Sequence, residues 1–208
     1  MPDCKHLRQR LTQQGVRLIA ASKYADDAAV QALIDDGQRD FGESRPQQLR
    51  DRAQRWPQCR WHMIGSLQKN KAKYIARHAA YWHSLCDVET AEAVARHIEG
   101  RRLPVLIQVN ISAEVQKHGV EPAQLPELIT AVQTMPKLQL IGLMGMAAKG
   151  ADAAATFAAL RQCRDAQSVV IKELSMGMSQ DWQAAIAEGA TMVRLGSMLF
   201  NHQQTRQT

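Results

Sequence analysis

The sequence of 208 residues has few aromatic side chains and no long apolar run. Phe, Trp and Tyr together make up 5% of the chain, which argues against the aromatic platforms that stack on single-stranded nucleic acid. No apolar segment approaches the roughly 20 residues that a membrane-spanning helix needs. Residues 1–10 are polar and lack the apolar stretch of a secretory signal. We therefore expect a cytoplasmic protein that does not enter a membrane.

Paired cysteines, linkers and low-complexity segments are also lacking. The four cysteines lie far apart, without a C-x-x-C pair or a histidine cluster at zinc-ligand spacing. Such scattered cysteines are typical of reduced thiols in a reducing compartment. An apolar content of 45% with 22% charged residues is that of a globular chain. The sequence predicts a single domain over residues 1–208, with no structural metal.

Basic residues are in excess, with 26 Lys and Arg against 20 Asp and Glu, which gives a formal net charge of +6. A basic chain attracts nucleic acid, but it attracts any other anionic ligand as well. Many of the basic residues fall in two helix-like stretches, 45–55 and 69–77, where apolar side chains interrupt them. We interpret these stretches as solvated helix faces, so nucleic-acid binding is a minor alternative.

Short strand-like runs alternate with helix-like segments along the chain. Several of the runs are almost continuously apolar, which is typical of parallel strands covered on both faces. The predicted strands are residues 16–21, 39–42, 60–65, 81–85, 105–110, 138–144, 171–175 and 191–196, and a further helix at 3–13 precedes them. Eight such units predict an α/β protein of the (β/α)8 TIM barrel type with an extra N-terminal helix. A doubly wound open sheet is less favoured, because no G-x-G-x-x-G motif follows the first strand.

Several helix ends are marked by capping residues. Asp26 and Asp87 each precede a segment with apolar residues at helical spacing, and Gly37 follows the first of these segments. Ser179 precedes another such segment, which Gly189 ends. One interpretation of Ser179 is therefore that it caps this helix.

The positions of a functional site follow from the predicted barrel. In TIM barrels the site lies at the carboxyl ends of the strands, and phosphate groups commonly bind after strands seven and eight. Glycines allow close approach of the backbone, while serine hydroxyls and the N–H groups at a helix start donate to anions. Two glycine- and serine-containing loops at these positions, one of them beside an arginine, favour a phosphate site over simple turns. The residues placed there are Lys23, Ser175, Gly177, Arg194, Gly196 and Ser197.

Lys23 follows the first predicted strand and allows three roles. It can be a surface charge, it can pair with a phosphate, or as a neutral amine it can form a Schiff base with a carbonyl compound. A lysine that faces a phosphate site is typical of a sugar-phosphate aldolase or of a pyridoxal phosphate protein. The spacing of the residues does not separate these two.

Several segments resemble the pyridoxal phosphate homeostasis protein family, whose members are small and related to the barrel domain of alanine racemase. The distinctive motifs are W-H-x-I-G-x-L-Q-x-N-K at 61–71 and L-S-M-G-M-S at 174–179. The other matching segments are 18–23, 41–43, 108–112, 142–144 and 192–197. They span most of the chain in the family's order.

The resemblance implies that pyridoxal 5′-phosphate (PLP) is held as a Schiff base on Lys23, with Ser175, Gly196 and Ser197 around its phosphate. It also implies that Arg194 lies against the pyridine nitrogen. Since a guanidinium donates hydrogen bonds and accepts none, it keeps that nitrogen unprotonated and makes the ring a weak electron sink.

The function that the resemblance implies is a carrier and buffer of PLP without dedicated catalysis, with PLP-requiring apoenzymes as further partners. We expect a monomer or a weak dimer. The chain ends soon after the eighth predicted strand, so little remains to cover the pocket or to supply a second proton-transfer group. The alternatives are a racemase-like PLP enzyme, an aldolase that forms a Schiff base without a cofactor, and a basic nucleic-acid-binding protein.

The chain also departs from the family's pattern. It has Ser44 after Phe41-Gly-Glu43, where the family usually has asparagine, and Tyr24 directly follows Lys23. His62 lies between apolar neighbours on the third predicted strand and is interpreted as a buried barrel histidine with its hydrogen bonds satisfied.

Overall fold

Eight parallel strands close into one barrel in sequence order, with β8 hydrogen-bonded to β1. The computed structural model describes residues 4–112, 118–148 and 150–200. The strands are β1 Arg17–Ala21, β2 Asp40–Glu43, β3 Arg60–Met63, β4 Tyr81–Leu85, β5 Leu103–Gln108, β6 Leu138–Met144, β7 Glu173–Ser175 and β8 Met192–Leu195. The prediction of a (β/α)8 TIM barrel is therefore confirmed.

Helices surround the barrel: one precedes β1, one follows β8, and the others lie between successive strands. They are α1 Cys4–Gln13, α2 Asp27–Asp35, α3 Pro46–Arg55, α4 Ala72–His78, α5 Val88–Arg96, α6 Leu125–Gln133, α7 Ala153–Asp165, α8 Trp182–Ala187 and α9 Ser197–Phe200. Single turns of 3₁₀ helix at Lys69–Lys71 and Pro122–Gln124 lead into α4 and α6. The predicted N-terminal helix is present as α1, which buries Leu7 and Leu11; residue 3 of the prediction lies outside the described residues.

The alternation of side chains along each strand separates an outer apolar layer from the barrel interior. In β1, Leu18 and Ala20 belong to the hydrophobic cluster between the strands and the helices. Ile19 is equally buried and, by the period of two, points to the barrel interior. The same period directs Ala21, the last residue of β1, toward the interior. Among the described residues, no helix is long and apolar enough to cross a membrane.

The helix caps agree with the sequence in two cases and differ in one. Asp26 and Asp87 cap α2 and α5, each accepting a hydrogen bond from a backbone N–H three residues later. Gly37 follows α2 with φ +92°, a conformation that glycine adopts without strain. The capping role considered for Ser179 is wrong, because α8 begins only at Trp182 and the Ser179 hydroxyl contacts another loop.

The sequence prediction missed helix α7 and misplaced the ends of several strands. Helix α7 is capped by Asp152 and buries Phe157 and Leu160. Its alanine-rich sequence gives a weak apolar period, which explains why no pattern indicated it. Strand β5 begins at Leu103, two residues before the predicted start, and so includes Pro104. A proline is tolerated at this end of the strand because β4 pairs with β5 only from Val105 onward.

Candidate functional site

Lys23 lies two residues beyond β1, at the carboxyl end of the barrel. Its side chain is half-buried, and its Nζ lies 4.8 Å from the ring centroid of Tyr24, which is 86% exposed. Lys23 faces a cavity of about 420 Å³ at the mouth of the barrel. The cavity is lined by Lys23, Ser44, Arg45, Ile64, Gly65, Ser66, Gln108, His118 and Met146. The predicted position of Lys23 at the barrel mouth is therefore confirmed.

Arg52 of α3 makes hydrogen bonds to the backbone of the turn that contains Lys23. Arg52 donates to the carbonyl oxygens of Ser22 and Ala25, at 2.9 and 2.6 Å, on either side of the lysine. We call these two contacts the Arg52 bracket. Glu43, at the end of β2, accepts from Arg52 Nη1 at 2.5 Å and from the Ser22 hydroxyl at 2.6 Å. The bracket thus fixes the backbone on both sides of Lys23.

Glu43 and Arg52 form a buried ion pair. Glu43 is 0% exposed and Arg52 is 5% exposed. Burial raises the pKa of the Glu43 carboxyl, although the charge of Arg52 and the hydrogen bond from Ser22 act in the opposite direction. Since a buried carboxylate that loses its partner is costly, the pair depends on both members being present.

The loop after β8 presents backbone donors to the loop after β7. The N–H groups of Gly196 and Met198 both point to the Ser179 hydroxyl oxygen, at 3.4 and 3.5 Å. We call these three residues the loop donor set. A side chain at Gly196 would bring its Cβ within 3.0 Å of the Ala21 carbonyl oxygen. The loop donor set therefore lies against the end of β1, the strand that leads to Lys23.

Gly177 allows the two loops to meet. Its φ is +92°, and a Cβ there would lie 2.6 Å from the Ala185 side chain. Its carbonyl oxygen accepts a hydrogen bond from the backbone N–H of Arg194 at 2.9 Å. A residue with a side chain at this position would push α8 away and separate the loops.

Ser175 and Arg194 are buried inside the barrel, below the loops. Arg194 donates from Nη1 to the Ser175 carbonyl at 2.6 Å and to its hydroxyl at 2.7 Å, and from Nη2 to the Gly145 carbonyl at 3.0 Å. Three of the five N–H bonds of a guanidinium are thus used. Among the described residues, the other two N–H bonds of the Arg194 guanidinium have no hydrogen-bond partner. Burial lowers the pKa of Arg194 to about 10, with Asp181 opposing the shift, so the side chain stays a cation near neutral pH.

Two histidines extend this polar interior toward the amino end of the barrel. The His83 ring nitrogens lie 2.9 Å from the Ser175 hydroxyl and 2.9 Å from His62, and His62 lies 3.0 Å from the Asp40 carboxylate. Burial lowers the pKa of both histidines, most strongly that of His83. The interpretation of His62 as a buried histidine with satisfied hydrogen bonds is confirmed.

The predicted site residues separate into two levels. Lys23, Gly196 and Ser197 lie at the carboxyl end of the barrel, while Ser175 and Arg194 lie beneath them. The hydroxyl of Ser175 is 0% exposed and already bonded within the barrel, so its role in phosphate binding stays a prediction that these contacts do not favour.

Ser179 is the residue that the sequence interpretation missed. The strand period is the signal that distinguishes Ser179 from Ser175. Ser175 ends β7 with its side chain directed into the barrel, whereas Ser179 lies beyond the turn at Gly177. No group of three or more His, Cys, Asp or Glu side chains that could hold a metal occurs in the described part of the chain.

Comparisons with known proteins place this chain in a family. The family model described as the alanine racemase N-terminal domain matches residues 3–204. The pyridoxal phosphate homeostasis protein of Escherichia coli is 38% identical over 198 residues, which cover 89% of this chain and 85% of that protein. The protein of the same name from Pseudomonas aeruginosa is 38% identical over 192 residues, with 89% and 84% covered.

Solved structures agree with these relatives. PipY of Synechococcus elongatus, solved with PLP bound, has a TM-score of 0.84 and 34% identity, covering 95% of this chain and 98% of its own. An alanine racemase from Clostridium difficile has a TM-score of 0.75 at 14% identity, with 95% of this chain and 56% of that one covered, which shows a shared fold alone. This chain therefore belongs to the pyridoxal phosphate homeostasis protein family, within the larger group of alanine racemase N-terminal domains.

Proposed function

We propose that this protein binds PLP and serves as an intracellular carrier and buffer of it. The observation that carries the proposal is the neighbourhood of two groups, the amine of Lys23 and the loop donor set of Ser179, Gly196 and Met198. Lys23 follows β1, which pairs with β8, and the loop donor set lies in the loops after β8 and after its other neighbour, β7. A ligand with an aldehyde at one side and a phosphate at the other can use both groups, as PipY's bound PLP supports.

The residues of this chain suit that cofactor. When bound, PLP supplies an aldehyde that forms a Schiff base with an amine, and Lys23 is the amine that faces the cavity. The Gly196 and Met198 N–H groups share one hydroxyl oxygen at 3.4 and 3.5 Å, which is a weak arrangement that a phosphate oxygen improves. Ser197 is exposed beside them and adds a hydroxyl donor. We assign Ser179, rather than Ser175, to the phosphate.

Arg194 is the proposed partner of the pyridine nitrogen. Its remaining N–H groups can donate to that nitrogen, and the guanidinium keeps its own protons at neutral pH. An unprotonated ring withdraws few electrons from a bound amino group. Arg194 therefore favours retention of the cofactor over carbanion chemistry.

We propose that the protein has no dedicated catalytic activity, because its relatives at 38% identity are named for homeostasis and not for a reaction. In this account, residues 1–208 form a single domain that acts in the cytoplasm as a monomer or weak dimer. PLP-requiring apoenzymes are its further partners. The thiols of Cys59, Cys86 and Cys163 are free, as in a reducing compartment.

An assay of the PLP-loaded protein separates the carrier from its alternatives. We expect no racemisation of common L-amino acids above that caused by free PLP, and transfer of the cofactor to an added apoenzyme. Turnover that disappears in Lys23→Ala would instead show a racemase-like enzyme. Binding to RNA that weakens with salt and persists in Lys23→Ala would favour a nucleic-acid-binding protein.

A further inference from the structure

A line of buried polar side chains runs through the barrel from its amino end to Arg194. Asp40, His62, His83, Ser175 and Arg194 are each at most 6% exposed. Successive members are joined at 3.0, 2.9, 2.9 and 2.7 Å. Inside a barrel, such groups are costly unless each finds a partner. We call the first four residues the histidine chain.

The ionised carboxylate of Asp40, at one end of the histidine chain, determines where the protons of the histidine chain lie. Burial alone would raise the pKa of Asp40, but hydrogen bonds from Arg60 and His62 outweigh it and hold the pKa well below its usual range. Arg60 donates to both carboxylate oxygens, at 2.7 and 2.6 Å. Asp40 is therefore ionised and can only accept, so the proton of His62 lies on Nε2 and its Nδ1 is an acceptor.

The same reasoning continues to the other end. His83 must then carry its proton on Nε2, in order to donate to His62 Nδ1, and its own Nδ1 accepts from the Ser175 hydroxyl. With its proton directed to His83, the Ser175 oxygen presents lone pairs to Arg194. This single arrangement satisfies every link with both histidines neutral, and all of its dipoles have their negative ends toward the buried guanidinium.

We propose that the histidine chain is a positioning device that orients Arg194 for the pyridine ring of the cofactor. It fixes Ser175 as an acceptor for Arg194 Nη1, while the Gly145 carbonyl takes one proton of Nη2. Nε–H and the second Nη2–H are thereby left for the ligand. His62, His83 and Asp40 touch no cofactor and are positioning residues, and the inference rests on the proposed function through the role of Arg194.

The arrangement of protons can be tested in the wild-type protein without PLP. Two-bond ¹H–¹⁵N correlation spectra of the ¹⁵N-labelled protein distinguish the two neutral tautomers of each histidine ring. We expect His62 and His83 to be neutral with the proton on Nε2 from pH 6.5 to 8. A proton on Nδ1 of either ring, or a charged ring in this range, would overturn the assignment.

The positioning role is tested by a double-mutant cycle on PLP affinity. His83→Leu should raise the PLP dissociation constant about three- to tenfold, the effect of losing one hydrogen bond. In a Ser175→Ala background the same change should have no further effect, because His83 acts through Ser175. Additive effects of the two changes would contradict the proposal.

Two further variants serve as controls for the cycle. His83→Gln keeps one donor and one acceptor and should recover part of the lost affinity, whereas a purely steric role would not distinguish glutamine from leucine in this way. His97→Leu, on an exposed histidine after α5, should leave the dissociation constant unchanged. If the wild-type protein fails to bind PLP, the proposed function falls together with the positioning role. If it binds PLP but the cycle is additive, only the positioning role falls.

Discussion

Two serines four residues apart, Ser175 and Ser179, have different surroundings and different expected roles. Ser179 shares its oxygen with the N–H groups of Gly196 and Met198 at the barrel mouth. Ser175 is bonded to His83 and Arg194 inside the barrel. The first position suits contact with an anionic ligand, and the second suits support of the residue above it.

Ser179→Ala should therefore weaken PLP binding more than Ser175→Ala does. The loss of a hydroxyl donor to a charged phosphate corresponds to about 1.5–3 kcal/mol of binding free energy. Titration of the purified variants with PLP, followed by visible absorbance, measures the dissociation constants. Ser168→Ala, on an exposed serine outside the site, is the matched control. A larger loss in Ser175→Ala than in Ser179→Ala would restore the sequence-based assignment of Ser175 to the phosphate.

Arg194→Gln tests the ring contact separately from the covalent bond. Because Arg194 is proposed to contact the ring and not the aldehyde, the variant should release PLP more readily while still forming the Schiff base. Borohydride reduction at saturating PLP should trap the cofactor on the variant as on the wild type. Unchanged affinity would show that Arg194 does not contact the ring.

At the scale of elements, helix α3 controls the turn between β1 and α2. Its Arg52 contacts the backbone on both sides of Lys23 and is itself paired with Glu43 of β2. The three elements are thus joined at the point where the lysine leaves the barrel. Because of these contacts, a change in the packing of α3 would change the position of the turn that contains Lys23.

Arg52→Met should destabilise the fold by about 3 kcal/mol at pH 8, since it leaves a buried carboxylate without its partner. Loss of Arg52 removes a group that opposes the raised pKa of Glu43. The folded variant should then bind a proton that the unfolded chain does not bind until lower pH. The destabilisation should therefore shrink as the pH falls from 8 toward 5.

Urea unfolding at both pH values measures this difference. Arg55→Met, on the exposed side of the same helix, is the control and should show a smaller loss without this pH dependence. An equal loss for Arg52→Met at pH 8 and pH 5 would mean that Glu43 does not take up a proton when Arg52 is absent.

The barrel could be predicted from the sequence because its strands are short apolar runs between capped helices. Strands β4 and β6 have the predicted bounds. Helix α7 could not be predicted, since alanine contributes little to an apolar period. Ser179 was misread because a serine before a helical segment is a common cap, and only the packing of the two loops shows that its hydroxyl turns toward Gly196 instead.

At the scale of the whole molecule, the barrel joins residues from five of its strands into one polar axis. Asp40 of β2 lies at the amino end of this axis, and Arg194 of β8 lies near the carboxyl end, with His62, His83 and Ser175 between them. None of these contacts is local in sequence. The motifs therefore indicated Ser175 and Arg194, but not the contacts that join them to the two histidines and Asp40.

The buried histidines should make the stability of the protein fall in mild acid. Burial lowers the pKa of His62 and His83 from 6.5, so below that pH the unfolded chain binds protons that the folded chain does not. Stability is then lost as the pH falls, by up to about 1 kcal/mol for each histidine between pH 7 and pH 5.5. Unfolding in urea across this range measures the slope. A His97→Gln control should keep the slope, and stability that is constant or rises toward pH 5.5 would contradict the neutral state of the pair.

The most direct measurement of the central claim is the identity of the residue that PLP modifies. The purified protein is saturated with PLP, reduced with borohydride, digested and analysed by mass spectrometry, alongside Lys23→Ala and the exposed control Lys137→Ala. We predict a single reduced phosphopyridoxyl group on Lys23 in the wild type and in Lys137→Ala, and none in Lys23→Ala. Stoichiometric label on another lysine, or label that persists in Lys23→Ala, would contradict the account.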